Sequence, residues 1–100
     1  MGYLQIRFNG IDGYCIINET NEVVSYGAEY SLEKLINGEW ANVLDETQPC
    51  VLIMNHLEPH LSKTYSFGFE LKNGQYRLSK NIGFPTNDKV VCVNCELYVK

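Results

Sequence analysis

A chain of 100 residues, 45% apolar and 20% charged, can bury one core without metal or disulfide help, and its composition excludes a disordered chain. No apolar run approaches the roughly 18 residues that cross a bilayer as a helix. The start, Met1-Gly2-Tyr3-Leu4-Gln5-Ile6-Arg7-Phe8, lacks the basic lead and long apolar stretch of a signal peptide. The expectation is a protein that stays off the membrane: cytoplasmic as the sequence stands, extracytoplasmic if a leader has been removed. The net charge of −4 is unevenly divided, with eight acids against two bases in residues 1–48 and four against six in residues 49–100. An acidic first half repels phosphate backbones, so the partner it suits is another protein with a basic surface and not nucleic acid.

Along the chain, turn signals recur at Asn9-Gly10, Asp12-Gly13, Asn37-Gly38 and Asn73-Gly74, residues that accept the positive φ of tight hairpins. Between them the pattern alternates with the period of strands. Leu4, Ile6 and Phe8 share one face of a first strand, with Gln5 and Arg7 on the other. Tyr14 to Thr20 forms a second, and Val23 to Tyr26 its continuation or a short neighbour. Tyr30 to Leu35 and Glu39 to Val43 flank Asn37-Gly38 as a hairpin, preferred over two turns of helix at Ser31 to Asn37 because the neighbours favour strands. Cys50 to Met54 reads as a short buried strand. From Thr64 to Leu71, Tyr65, Phe67, Phe69 and Leu71 point one way. Tyr76, Leu78 and Ile82 extend the apolar layer, and Val90 to Val99 closes the chain. Seven or eight short strands predict a single all-β domain over residues 1–100, a sandwich or small barrel.

Three segments resemble the bacterial Ig-like domains of secreted and lipoprotein chains. They are Tyr26-Gly27-Ala28-Glu29-Tyr30-Ser31-Leu32-Glu33-Lys34 with Asn37-Gly38-Glu39-Trp40, Leu57-Glu58-Pro59-His60-Leu61-Ser62-Lys63-Thr64-Tyr65, and Leu71-Lys72-Asn73-Gly74-Gln75-Tyr76-Arg77-Leu78. The resemblance covers roughly residues 14 to 99 and implies an immunoglobulin-like antiparallel sandwich. His60 departs from the pattern, standing where the family has Gly, and predicts an altered turn. Tyr76, two residues after a turn Gly, occupies the place of a tyrosine corner, whose phenol ties the chain to an upstream carbonyl.

Chemistry-bearing residues point away from catalysis. Cys92-Val93-Asn94-Cys95 has a redox or zinc spacing, but in a strand its thiols face opposite ways, with Cα atoms about 10 Å apart. A disulfide needs less than about 7 Å. Cys15 with Cys50 or Cys95 stays geometrically open, while four free thiols suit a reducing compartment. His56 and His60 are separated by Pro59, which breaks the helix a metal pair would need. A zinc site would have to turn Cys92 and Cys95 together and recruit from Cys15, Cys50, His56 and His60. The exposed carboxylates Glu29, Glu33, Asp45 and Glu46 keep ordinary acidity and make poor general acids. The sequon Asn18-Glu19-Thr20 matters only on a glycosylating secretory route. No catalytic residue, metal ligand or cofactor is therefore assigned.

An acidic, aromatic hairpin remains: Tyr26, Glu29, Tyr30, Glu33, Glu39 and Trp40, with Trp40 either packed inside or standing as an interface anchor. These six are the candidate partner-binding residues. The leading expectation is a non-catalytic protein-protein interaction module, in one version a phage-encoded inhibitor of a host defence complex such as a CRISPR nuclease. The alternative is an Ig-like structural or adhesion domain of a secreted or cell-surface bacterial protein, and a third reading is a zinc-binding or enzymatic protein. Edge strands leave a homodimer open.

Overall fold

Asn37 and Gly38 both take positive φ, 51° and 83°, the pair of left-handed residues that a two-residue hairpin turn requires. They join β4 (Ser31–Ile36) to β5 (Glu39–Asn42), which pair from Glu33↔Asn42 to Ile36↔Glu39. The computed structural model describes residues 2–44 and 54–100. The expected strand over Cys50 to Met54, with the carboxylates Asp45 and Glu46, lies almost wholly outside them.

Nine strands are found among the described residues, in two antiparallel sheets. β1 (Leu4–Asn9), β2 (Gly13–Asn18) and β7 (Leu61–Ser66) form one, in the order β1-β2-β7. The other has the order β5-β4-β8-β3-β6, with β3 (Val24–Tyr26), β6 (Asn55–Leu57) and β8 (Gly74–Phe84), while β9 (Lys89–Val99) pairs the full length of β8. β3 is thus not a continuation of β2. The chain crosses between the sheets there and β3 pairs Gly83 of β8. The all-β sandwich expected from the alternation is the fold observed.

Inward residues of the two sheets meet in a core of Ile16, Val24, Leu32, Leu78 and Ile82, each fully buried, with Ile6, Tyr14, Tyr26 and Tyr76 around them. Burying one such aliphatic side chain stabilises by about 1.5–3 kcal/mol. Gly13 allows β2 and β7 to approach: a Cβ there would strike the Tyr65 carbonyl, which as backbone cannot move aside. At the edge of its sheet, β7 exposes most of its length and carries Lys63, a charge that discourages pairing with another chain.

The run from Thr64 to Leu71 is not one strand. β7 ends at Ser66, and Gly68, at φ 85°, turns the chain toward the other sheet. Phe67 N and Leu71 N donate to Asp12 O and Ile11 O at 2.8 and 2.7 Å, so this crossing is held by the β1–β2 loop. Phe67 still stacks on Tyr14 and Leu71 is buried, but Phe69 is 43% exposed. His60 adopts φ 63°, a left-handed conformation that histidine tolerates better than most side chains.

The Tyr76 phenol donates to Lys72 O at 2.9 Å and ties this crossing to β8. Tyr76→Phe is expected to cost about 1 kcal/mol, the net worth of one such hydrogen bond, read as a lower urea midpoint with an unchanged m value.

Candidate interaction surface

Alternation along β4, β5, β8 and β9 sends Glu33, Leu35, Trp40, Arg77, Glu96 and Tyr98 to the outer face of the larger sheet. Cross-strand register then brings them together. Glu33 lies opposite Arg77, Leu35 opposite Trp40, and Arg77 opposite Glu96. The Arg77 guanidinium donates from Nε and Nη2 to Glu33 Oε1 at 3.0 and 2.8 Å and sits 4.4 Å from the centre of the Trp40 ring. Both partners of this ion pair are partly solvated, so it contributes under about 1 kcal/mol to stability. Its effect is to hold the indole and the carboxylate in one orientation on an open sheet face. Tyr98, 66% exposed, continues that face along β9.

Of the six candidate partner-binding residues, Glu33 and Trp40 converge here through Arg77, a residue the sequence reading did not include. Their β-register was the signal available for it. Glu39 is exposed at the hairpin turn. Tyr26 points inward, 2% exposed, and its hydroxyl meets that of Tyr65 at 2.8 Å, so it is a core residue and not a surface one. Tyr30 is half-buried against Tyr14 and Phe67.

Glu29 belongs to the loop between β3 and β4, and its backbone meets an unforeseen residue. Lys80 follows Tyr76 and Leu78 on the inward face of β8 and is 2% exposed. Its Nζ donates to Gly27 O at 2.7 Å and Glu29 O at 2.6 Å, and stands 5.2 Å from the Tyr26 ring centre. Burial pulls the ammonium down to about 8, against the opposing pull of the Glu29 carboxylate. Burial also raises the Tyr14, Tyr26 and Tyr30 phenols; neighbouring tyrosines add to the effect on the first two. Two of the ammonium's three hydrogens go to these carbonyls, which makes Lys80 a clasp on the β3–β4 loop. Over that loop lies an open groove of about 750 Å³ lined by Gly27, Tyr30, Asn81, Phe84 and Val90 among others.

The cysteines and histidines are dispersed. Cys92, opposite Asn81, is exposed, whereas Cys95, opposite Leu78, faces inward, so the two thiols leave β9 on opposite faces. Burial pushes the Cys95 thiol up to about 11, against the Phe8 backbone and the Arg7 charge, which leaves it a weak nucleophile at neutral pH. Cys15 is also free, and Cys50 lies outside the described residues. His56 is exposed on β6, while His60 sits in a turn with Nε2 3.3 Å from Asn21 Oδ1 and Nδ1 3.6 Å from Glu19 Oε2. Among the described residues, no three His, Cys, Asp or Glu side chains are grouped so as to hold a metal ion.

Asn18 is the other residue whose role only the structure shows. It is fully buried, and Nδ2 donates to Leu57 O at 3.0 Å and Glu22 O at 2.9 Å. Its Oδ1 accepts from Thr20 N at 3.1 Å and Thr20 Oγ1 at 2.6 Å. With both amide hydrogens engaged inside the domain, the sequon asparagine of the folded chain presents no nitrogen to a glycosylating enzyme.

A family model described as "Bacterial Ig-like domain" matches residues 9–96. No curated protein matches the chain.

Proposed function

The chain belongs to the bacterial Ig-like domain family, and from that premise we propose that it serves as a non-catalytic structural and adhesive module of a secreted or cell-surface bacterial protein. The observation that carries this reading is the family match over most of a sandwich whose sheets are tied together by Asn18 and Tyr76, a scaffold that presents surface. The outer face around Trp40, Arg77 and Glu33 is the contact surface we assign to it, with another protein as the partner. Glu96, exposed on that face, favours a partner with basic groups.

The reading as an inhibitor of a host defence complex draws on the acidic first half of the chain. Two features weaken it: Glu33 is already neutralised by Arg77, and Tyr26 is unavailable for contact. Fractionation of the source bacterium, followed with an antibody to this domain, separates the two readings. Recovery in the envelope or culture medium is expected, and recovery solely in the cytosol would overturn the structural and adhesive assignment.

A further inference from the structure

Each sheet of the sandwich ends in edge strands, and one of them differs from the rest. β5 and β6 are four and three residues long, β7 carries Lys63 and β1 carries exposed Arg7, all features that discourage pairing with another chain. β9 runs for eleven residues and, among the described residues, pairs on one side alone, with β8. β1 lies beneath it and not along its edge, since β1 belongs to the other sheet and its Phe8 backbone meets the inward Cys95 sulfur. From Val90 to Cys95 this open edge carries no charge, proline or glycine. Val90 and Tyr98, 69% and 66% exposed, are the most exposed large apolar side chains among the described residues.

A second copy of the chain completes this edge. Two β9 strands related by a two-fold axis run antiparallel, and each residue must meet one of its own face, because a one-residue slip turns the outward set inward. An axis through Asn94 sets Val90 opposite Tyr98 of the second copy, so the most exposed apolar side chains cover each other at both ends of the pairing. Asp88, just before the strand, then faces Lys100, just after it, an opposite-charge pair at each end. On the inward face Val91 meets Leu97 and Val93 meets Cys95, all half-buried and apolar. Moving the axis to Val93 or to Cys95 sets Val90 against Glu96 or Lys100 and loses both matches. The edges left outside such a pair, β5 and β6, are short, so assembly stops at two.

We infer that the chain forms a two-fold dimer through β9, joining the larger sheets of two copies into one. This goes beyond the contact surface proposed above and leaves Trp40, Arg77 and Glu33 open. One strand pair makes a small interface, so the dimer depends on concentration. Sedimentation equilibrium of the reduced 100-residue chain, up to about 1 mM, is expected to show the mass rising from one chain toward two. Asn94→Glu puts two carboxylates face to face on the axis, and the dissociation constant is expected to rise about tenfold or more. An unchanged Tm in dilute solution shows that this exposed substitution leaves the fold intact. Bis-maleimide cross-linking reads the register in a Cys92→Ser background, whose own cross-linking is the baseline. Asn94→Cys meets its counterpart across the axis and should give covalent dimer. Val90→Cys should give none above baseline, because its counterpart lies eight positions, or about 27 Å, along the strand. A wild type that keeps the mass of one chain throughout overturns the inference. So does an Asn94→Glu variant that associates as well as the wild type, or a Val90→Cys variant that links as readily as Asn94→Cys.

Discussion

Asn18→Asp is expected to lower the unfolding free energy by about 3–5 kcal/mol, the cost of leaving a buried charge without a partner. The substitution preserves shape and the acceptor toward Thr20 but turns the two donors on Nδ2 into an oxygen facing the carbonyls of Leu57 and Glu22 at about the same 3.0 and 2.9 Å. Three acceptors then crowd a site from which water is excluded. For a domain of this size the loss corresponds to a fall in Tm of roughly 15–30 °C. Asn18→Ala, which leaves the same carbonyls unpaired but adds no charge, should cost about 2–3 kcal/mol. Urea denaturation of both variants gives the comparison. Equal costs would mean that the carbonyls find other donors and that the amide does not bind the sheets together.

The second large effect is expected at Lys80. Lys80→Ala removes a buried four-carbon stem together with the donor to Gly27 O and Glu29 O, and should cost about 2–4 kcal/mol at neutral pH. Lys80→Met keeps the stem, so it should cost only about 1–2 kcal/mol, the share of the hydrogen bonds. The pH profile distinguishes a buried ammonium from a simple packing residue. Because burial lowers the folded-state value to about 8 from 10.5, the unfolded chain binds more protons than the folded one between those limits. Stability therefore rises with pH in that window, by about 1 kcal/mol between pH 8 and 9. The raised groups act in the opposite sense. Cys95 keeps its proton in the folded chain after the unfolded thiol has lost it near 9, and Tyr14, Tyr26 and Tyr30 do likewise above 10. The wild type should show a stability maximum near pH 9, and Lys80→Met should lack the rising limb while keeping the fall. A rise that survives in the methionine variant would place its origin elsewhere.

The residues around Asn18 and Lys80 show where sequence reading ended. The period-two run Tyr76, Leu78, Lys80, Ile82 implies that Lys80 points inward, yet the carbonyls that receive it come from a loop more than 50 residues earlier in the chain. No local pattern carries that pairing. Asn18 looked like a sequon because its neighbours in sequence are Glu19 and Thr20; its second role depends on Leu57, 39 residues away. Trp40 and Glu33 were visible as an aromatic and an acid on one hairpin, but Arg77, which joins them, arrives from β8. Tyr26 was misplaced for a related reason. An isolated strand of three residues does not reveal which face will be covered, and β3 is buried throughout.

Local chemistry was enough for the hairpin at Asn37-Gly38, the inward faces of β1 and β8, the divergence of Cys92 from Cys95 and the all-β class, because turn preference and alternation act over a few residues. Tertiary structure alone decided which sheet each strand joins, where the Thr64–Leu71 run breaks, and which polar groups are sealed within the sandwich. Those outcomes depend on contacts between distant segments, formed when two sheets close on each other and exclude water. Buried donors and acceptors must then be satisfied by whatever the opposite sheet supplies.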